Sequence, residues 1–145
     1  MINTDKIEKA KLMIKESKER PLVLLAQDDN FNRKILEYGK FDVLLSIERG
    51  ERKDSLRQVD SGFNHVLAVI AAKNKISFGI DLDEIKNLGK KEKSEMIKRI
   101  RQNIVLCRKK GVKLCVFGCS DRKDAFAFLI SLGASSNQAK EAIYF

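Results

Sequence analysis

Short runs of consecutive apolar residues alternate with longer stretches in which apolar positions recur every three or four residues. PLVLLAQ (21–27), FDVLLSIE (41–48), KISFGIDL (75–82) and VKLCVFGC (112–119) are of the first kind. Continuous apolar runs of this length predict strands buried on both faces. The second kind predicts helices. Residues 4–19 carry Ile7, Ala10, Leu12 and Ile14, with Asn3 or Thr4 as cap. Asp28 or Asp29 caps a helix through Tyr38, which Gly39 ends. In DSGFNHVLAVIAAKN, Asp60 or Ser61 is the expected cap, and Phe63, Val66, Leu67 and Ile70 make an amphipathic stripe. Over 92–110, Met96, Ile97, Ile100, Ile104 and Cys107 share about 100° of arc at 3.6 residues per turn. Two more helices, over 122–132 and from about 136, close the chain.

The predicted order is α, then β-α four times, then α, in one domain over residues 1–145. One proline, Pro21, and no linker or repeat interrupt it. Strands that alternate with helices make a parallel α/β sheet with right-handed crossovers, either a small open sheet or part of a (β/α) barrel. The loops after the strands (27–30, 48–61, 81–91 and 118–123) then share the face where ligands usually bind. They hold Arg49, Arg52, Lys53, Arg57, Arg122 and Lys123.

Charge sharpens this picture. The net charge is +9. Residues 86–113 contain eleven Lys or Arg and two acids, Glu92 and Glu95, so this window carries the whole excess. A local excess of cations is the electrostatic footprint of a polyanion partner, and otherwise a solvated face that keeps the protein soluble. Lys98, Arg99, Lys109 and Lys110 fall away from the apolar arc of the 92–110 helix, and Arg101 and Arg108 flank it. The aromatics (eight Phe, two Tyr, no Trp) read as core residues. No exposed aromatic row suggests base stacking, so structured RNA fits better than a single strand. The longest apolar run, residues 66–72, is far below the ~20 residues of a membrane span. The charged start, MINTDKIEKAK, lacks the apolar core of a secretory signal. A cytoplasmic protein with no membrane partner is expected. Cys107, Cys115 and Cys119 are then expected as reduced, buried thiols rather than a disulfide framework or metal site.

The candidate chemistry is sparse. His65 is the sole histidine, and metal-dependent phosphoesterases on barrel folds need several His and Asp ligands. A structural role, satisfied by a backbone carbonyl, is expected of His65 ahead of a general base. The DSG turn can hold a phosphate at a helix start, with Arg52 and Arg57 nearby, or merely cap that helix. Asp81, Asp83 and Glu84 follow a strand end, where catalytic acids often sit; Asp83 or Glu84 caps the next segment, or the three hold Mg²⁺.

Four stretches carry a more specific likeness. NRKILEYGKFDVLLSIE (32–48), DSGFNHVLAVIAAKNKISFGIDL (60–82), RIRQNIVLCRKKGVKLCV (99–116) and DAFAFLISLGASSNQAKEAI (124–143) resemble, in order, segments of the archaeal and eukaryotic ribonuclease P protein component 3 family. The resemblance implies a partial TIM-barrel-like fold related to the PHP-like phosphoesterases, with the metal site lost. It implies a subunit that binds the ribonuclease P RNA and assists removal of the 5′ leader of precursor tRNA. Cleavage would belong to the RNA with its Mg²⁺, with no cofactor in the protein, and ribonuclease P protein component 2 would be the protein partner. Arg33, Arg57, His65, Lys73, Lys123 and Lys140 match family positions. With Arg52, Lys98, Arg99 and Arg101 from the charge pattern, they form the expected RNA-contacting set. The chain departs from the family in being shorter, as if the first β-α units were missing, and in carrying Val59 before Asp60. A part-barrel would expose strand edges, to be covered by RNA, another protein or a second copy. A stand-alone phosphoesterase and a non-catalytic scaffold are the alternatives.

Overall fold

The strands pair in the order in which the chain makes them. The computed structural model describes residues 1–145. It contains β1 (Val23–Leu25), β2 (Val43–Leu45), β3 (Ser77–Asp81), β4 (Leu114–Phe117) and β5 (Ile143–Tyr144), all parallel, in the order β1-β2-β3-β4-β5. Ile2 adds a parallel bridge outside β1, donating to the Val23 carbonyl at 2.8 Å and accepting from the Leu25 N–H at 2.9 Å. The helices between are α1 (Ile7–Glu16), α2 (Asp29–Tyr38), α3 (His65–Lys73), α4 (Leu82–Lys86), α5 (Lys90–Lys110), α6 (Arg122–Ser131) and α7 (Ser136–Glu141).

Strictly sequential parallel strands joined by right-handed crossovers put every helix on one side of the sheet. The large core therefore lies on that side. It joins Leu24, Leu44, Phe78, Ile80, Leu114 and Val116 of the strands to Ile35, Ala68, Ile100, Ile104 and Leu129 of the helices. The opposite face holds a small separate cluster of Val23, Val43, Leu45 and Cys115, with Leu25 and Phe117 packed on it. No helix residue belongs to it, yet Val43 is only 1% exposed. The sheet curls over this face as a barrel wall does. Gly79 permits the curl, since a Cβ there would sit 2.8 Å from Val43 Cγ1 and 3.0 Å from Leu45 Cδ1. The result is a TIM-barrel-like arc of β-α units that does not close. One free edge lies at Ile2. The other lies at β5, where Ile143 and Phe145 are about half exposed and the Phe145 ring stacks on Phe117 at 4.9 Å.

The strands are shorter than the apolar runs, because the flanking residues bend into turns while staying buried. β5 is an addition to the predicted order: Ile143–Tyr144 is too short to show a strand pattern and directly follows a helix. α4 is another. Asp81 Oδ1 accepts from the Asp83 and Glu84 N–H groups and starts this single turn. The expected cap of α3 is corrected too. Asn64, not Asp60 or Ser61, accepts from the Leu67 N–H at 2.9 Å, so Phe63 precedes the helix. α1 begins at Ile7 with no side-chain cap, rather than near Thr4.

Candidate nucleic-acid interface

The loop from β2 to α3 is held by charged groups that face inward. Arg52 has a side chain only 6% exposed. Its Nη1 donates to Asp60 Oδ1 at 3.1 Å and its Nη2 to the Ile47 carbonyl at 2.9 Å, and Nη2 also forms an ion pair with Asp29 Oδ1 at 3.0 Å. Gly62, at φ +72°, lets the chain pass over this guanidinium, and a Cβ there would overlap Arg52 Nη2 and the Ile47 carbonyl. Asp60 also accepts from the Gly62 N–H. The glycine of DSG thus accommodates an arginine of the same chain, and a phosphate cradle is not what its geometry serves.

α5 reaches across to the same loop. Arg99 is 7% exposed and donates from Nη2 to Asp54 Oδ2 at 3.1 Å. Gln102 donates to the Val59 carbonyl and Ser61 Oγ, and Asn103 to the Ser61 carbonyl. Burial pushes the Asp54 carboxyl up, but the hydrogen bonds from Arg99 and the Asp60 N–H outweigh it and hold it below its ordinary value. Beneath lies Glu48, 1% exposed, with Oε2 unpartnered. Burial raises its pKa to about 8, helped by the nearby Glu84 charge against the opposing pull of Arg52 and Arg49. Glu84 accepts from Ser46 Oγ at 2.9 Å and pairs with Arg49 at 3.4 Å.

The expected RNA-contacting residues are therefore not gathered into one site. Arg52 and Arg99 are corrections: both point inward onto acids, because a long charged side chain buried beside a loop needs a partner more than it needs solvent. Arg33 is exposed and paired with Glu37 at 3.1 Å. Arg57 and Lys123 are exposed on the strand C-terminal side. Lys98 and Arg101 are exposed mid-way along α5, and Lys73 and Lys140 lie at the other end, in the last turns of α3 and α7. His65 is exposed at the first residue of α3, where Asn64 does the capping, so the backbone-satisfied structural role fails. Asp81, not Asp83 or Glu84, caps α4, because its carboxylate stands just before the turn and accepts from both their N–H groups; Asp83 pairs with Lys86, and Glu84 is engaged as above. No three His, Cys, Asp or Glu side chains gather around a common point suited to a metal ion. Cys107 and Cys115 are buried free thiols, and burial drives both pKa values upward, Cys115 to about 11. No helix is long and apolar enough to cross a membrane.

No protein-family model matches the chain. A curated protein from Methanococcus vannielii, ribonuclease P protein component 3, is 26% identical over 109 residues, covering 74% of this chain and 43% of that one. The chain is similar to ribonuclease P protein component 3. The same arc of β-α units occurs in a chain of a solved assembly described as the cryo-EM structure of archaeal ribonuclease P with mature tRNA. That match has a TM-score of 0.73 at 21% identity and covers 97% of this chain and 60% of that one. The chain thus spans less than half of its curated relative and three-fifths of the structural one. The sequence likeness is to component 3, and the fold is shared with a chain of the archaeal assembly.

Proposed function

We propose that this chain acts as a protein subunit of ribonuclease P: it binds the ribonuclease P RNA and supports removal of the 5′ leader from precursor tRNA. The sequence match to ribonuclease P protein component 3 over 74% of the chain carries this reading. The fold shared with a chain of an archaeal ribonuclease P assembly supports it. So do the exposed, unpaired cations of α5, Lys98 and Arg101 among them. Phosphate contacts ask only for such cations and fix position rather than sequence.

In this proposal the chain breaks no bond by itself. The RNA, with its Mg²⁺, performs the cleavage, and the protein contributes cationic contacts and a shaped surface. Ribonuclease P protein component 2 is the proposed protein partner. The half-exposed Ile143 and Phe145 at the free edge of β5 give it, or a second copy of this chain, an apolar strip to cover. Reconstituted cleavage of precursor tRNA by ribonuclease P RNA, with and without this chain, tests the proposal. Faster cleavage, or cleavage at lower Mg²⁺, is expected with the chain present. An unchanged rate in the otherwise complete assembly would refute it. Phosphoester hydrolysis by the chain without RNA would establish a stand-alone enzyme instead.

A further inference from the structure

A base stands within three residues before every strand: Arg20 before Val23, Lys40 before Val43, Lys75 before Ser77, Lys113 before Leu114 and Lys140 before Ile143. Because all five strands are parallel, these residues share the amino-terminal rim of the sheet. Hydrogen bonds tie the turns side by side: the Asp42 N–H donates to the Leu22 carbonyl, Ser77 to Asp42, and Phe78 to Lys113. At about 4.8 Å between strands, the five positions trace an arc of roughly 20 Å. All five side chains are on exposed residues.

Its bases are held differently from most of those at the opposite rim. At the carboxyl-terminal rim Arg49, Arg52, Lys86 and Arg99 are each paired with acids, and Lys53, Arg57 and Lys123 are exposed without one. At the amino-terminal rim Lys40, Lys75, Lys113 and Lys140 have no carboxylate within 4.0 Å, and Arg20 alone approaches one, Asp42 at 3.9 Å. Lys40 instead lies over the Tyr38 ring at 5.4 Å. Lysines inside the last turn of a helix complement the helix dipole, and this suffices for Lys140 and for neighbouring Lys73. It does not suffice for Lys40, Lys75 and Lys113, which lie beyond the helix ends. Two of these, Lys40 at φ +65° and Lys75 at φ +56°, occupy left-handed backbone that glycine adopts without strain. Unpaired charge is thus kept at positions where folding alone would favour another residue.

We infer that the amino-terminal rim of the sheet is a surface that grips the phosphate backbone of a folded RNA. The inference rests on the proposed function for the class of partner and adds the place. Lys40→Gly and Lys75→Gly are suited to its test because glycine relieves the left-handed strain, so the fold is preserved. The triple variant with Lys113→Ala should melt at or above the temperature of the native chain. Its affinity for ribonuclease P RNA transcribed from the same genome should fall 10-fold or more at physiological salt. The slope of log affinity against log salt should drop by about 2–3, at about 0.7–0.9 per phosphate contact. Native affinity and slope in the folded triple variant would overturn the inference alone. A native chain that does not bind this RNA at all would overturn the proposed function with it. Undiminished RNA binding with lost binding of ribonuclease P protein component 2 would assign the rim to a protein and also overturn it.

Discussion

Glu48 gives the most demanding test of the interior. Its carboxyl is 1% exposed, Oε2 has no partner, and the neighbouring Glu84 adds a like charge. Burial holds its pKa at about 8, against an ordinary value of 4.5. The native chain keeps this proton up to about pH 8, whereas the unfolded chain releases it near 4.5. Between these values the unfolded state binds fewer protons, so this group makes stability fall as pH rises. The steepest slope is about 1.4 kcal/mol per pH unit. Glu48→Gln removes the titration and keeps the shape. In urea unfolding at pH 5, 6, 7 and 8, the variant's stability relative to the native chain should climb with pH, by on the order of 3 kcal/mol over the range, and level off above pH 8. A difference that is the same at every pH would show that Glu48 is ionised in the folded protein, and the account of its burial would be wrong.

Other consequences are equally direct. Arg99→Met leaves Asp54 without its guanidinium, and Asp54→Ala leaves the buried Arg99 without a carboxylate; urea midpoints should show the second as the costlier change. Gly62→Ala should lower the melting temperature sharply, because both φ +72° and the overlap with Arg52 oppose a Cβ; an unchanged melting curve would refute the packing described. Lys98→Ala with Arg101→Ala should reduce the salt slope of RNA binding by about 1–2 without changing stability, measured by titration at several salt concentrations. At pH 8 an aromatic disulfide reagent should modify no thiol faster than Cys119, the least buried of the three, and should reach Cys107 and Cys115 only on unfolding.

The alternation of apolar runs and 3.6-residue stripes was enough to read four strands, their flanking helices and a parallel sheet, because buried β-α units leave no other pattern. The likeness to component 3 was also legible in linear stretches such as 60–82. The cationic segment could be counted but not oriented. Lys98 and Arg99 are adjacent, yet one faces solvent and the other Asp54. That depends on where the 49–63 loop lies, and no local rule reports a contact 45 residues away. β5 was hidden because its partner β4, rather than its own two residues, makes it a strand. The bases before the strands were in plain view in the sequence. Only parallel pairing in sequential order turned five scattered residues into one rim, since strand direction decides which loop ends meet, and strand direction is a property of the whole sheet.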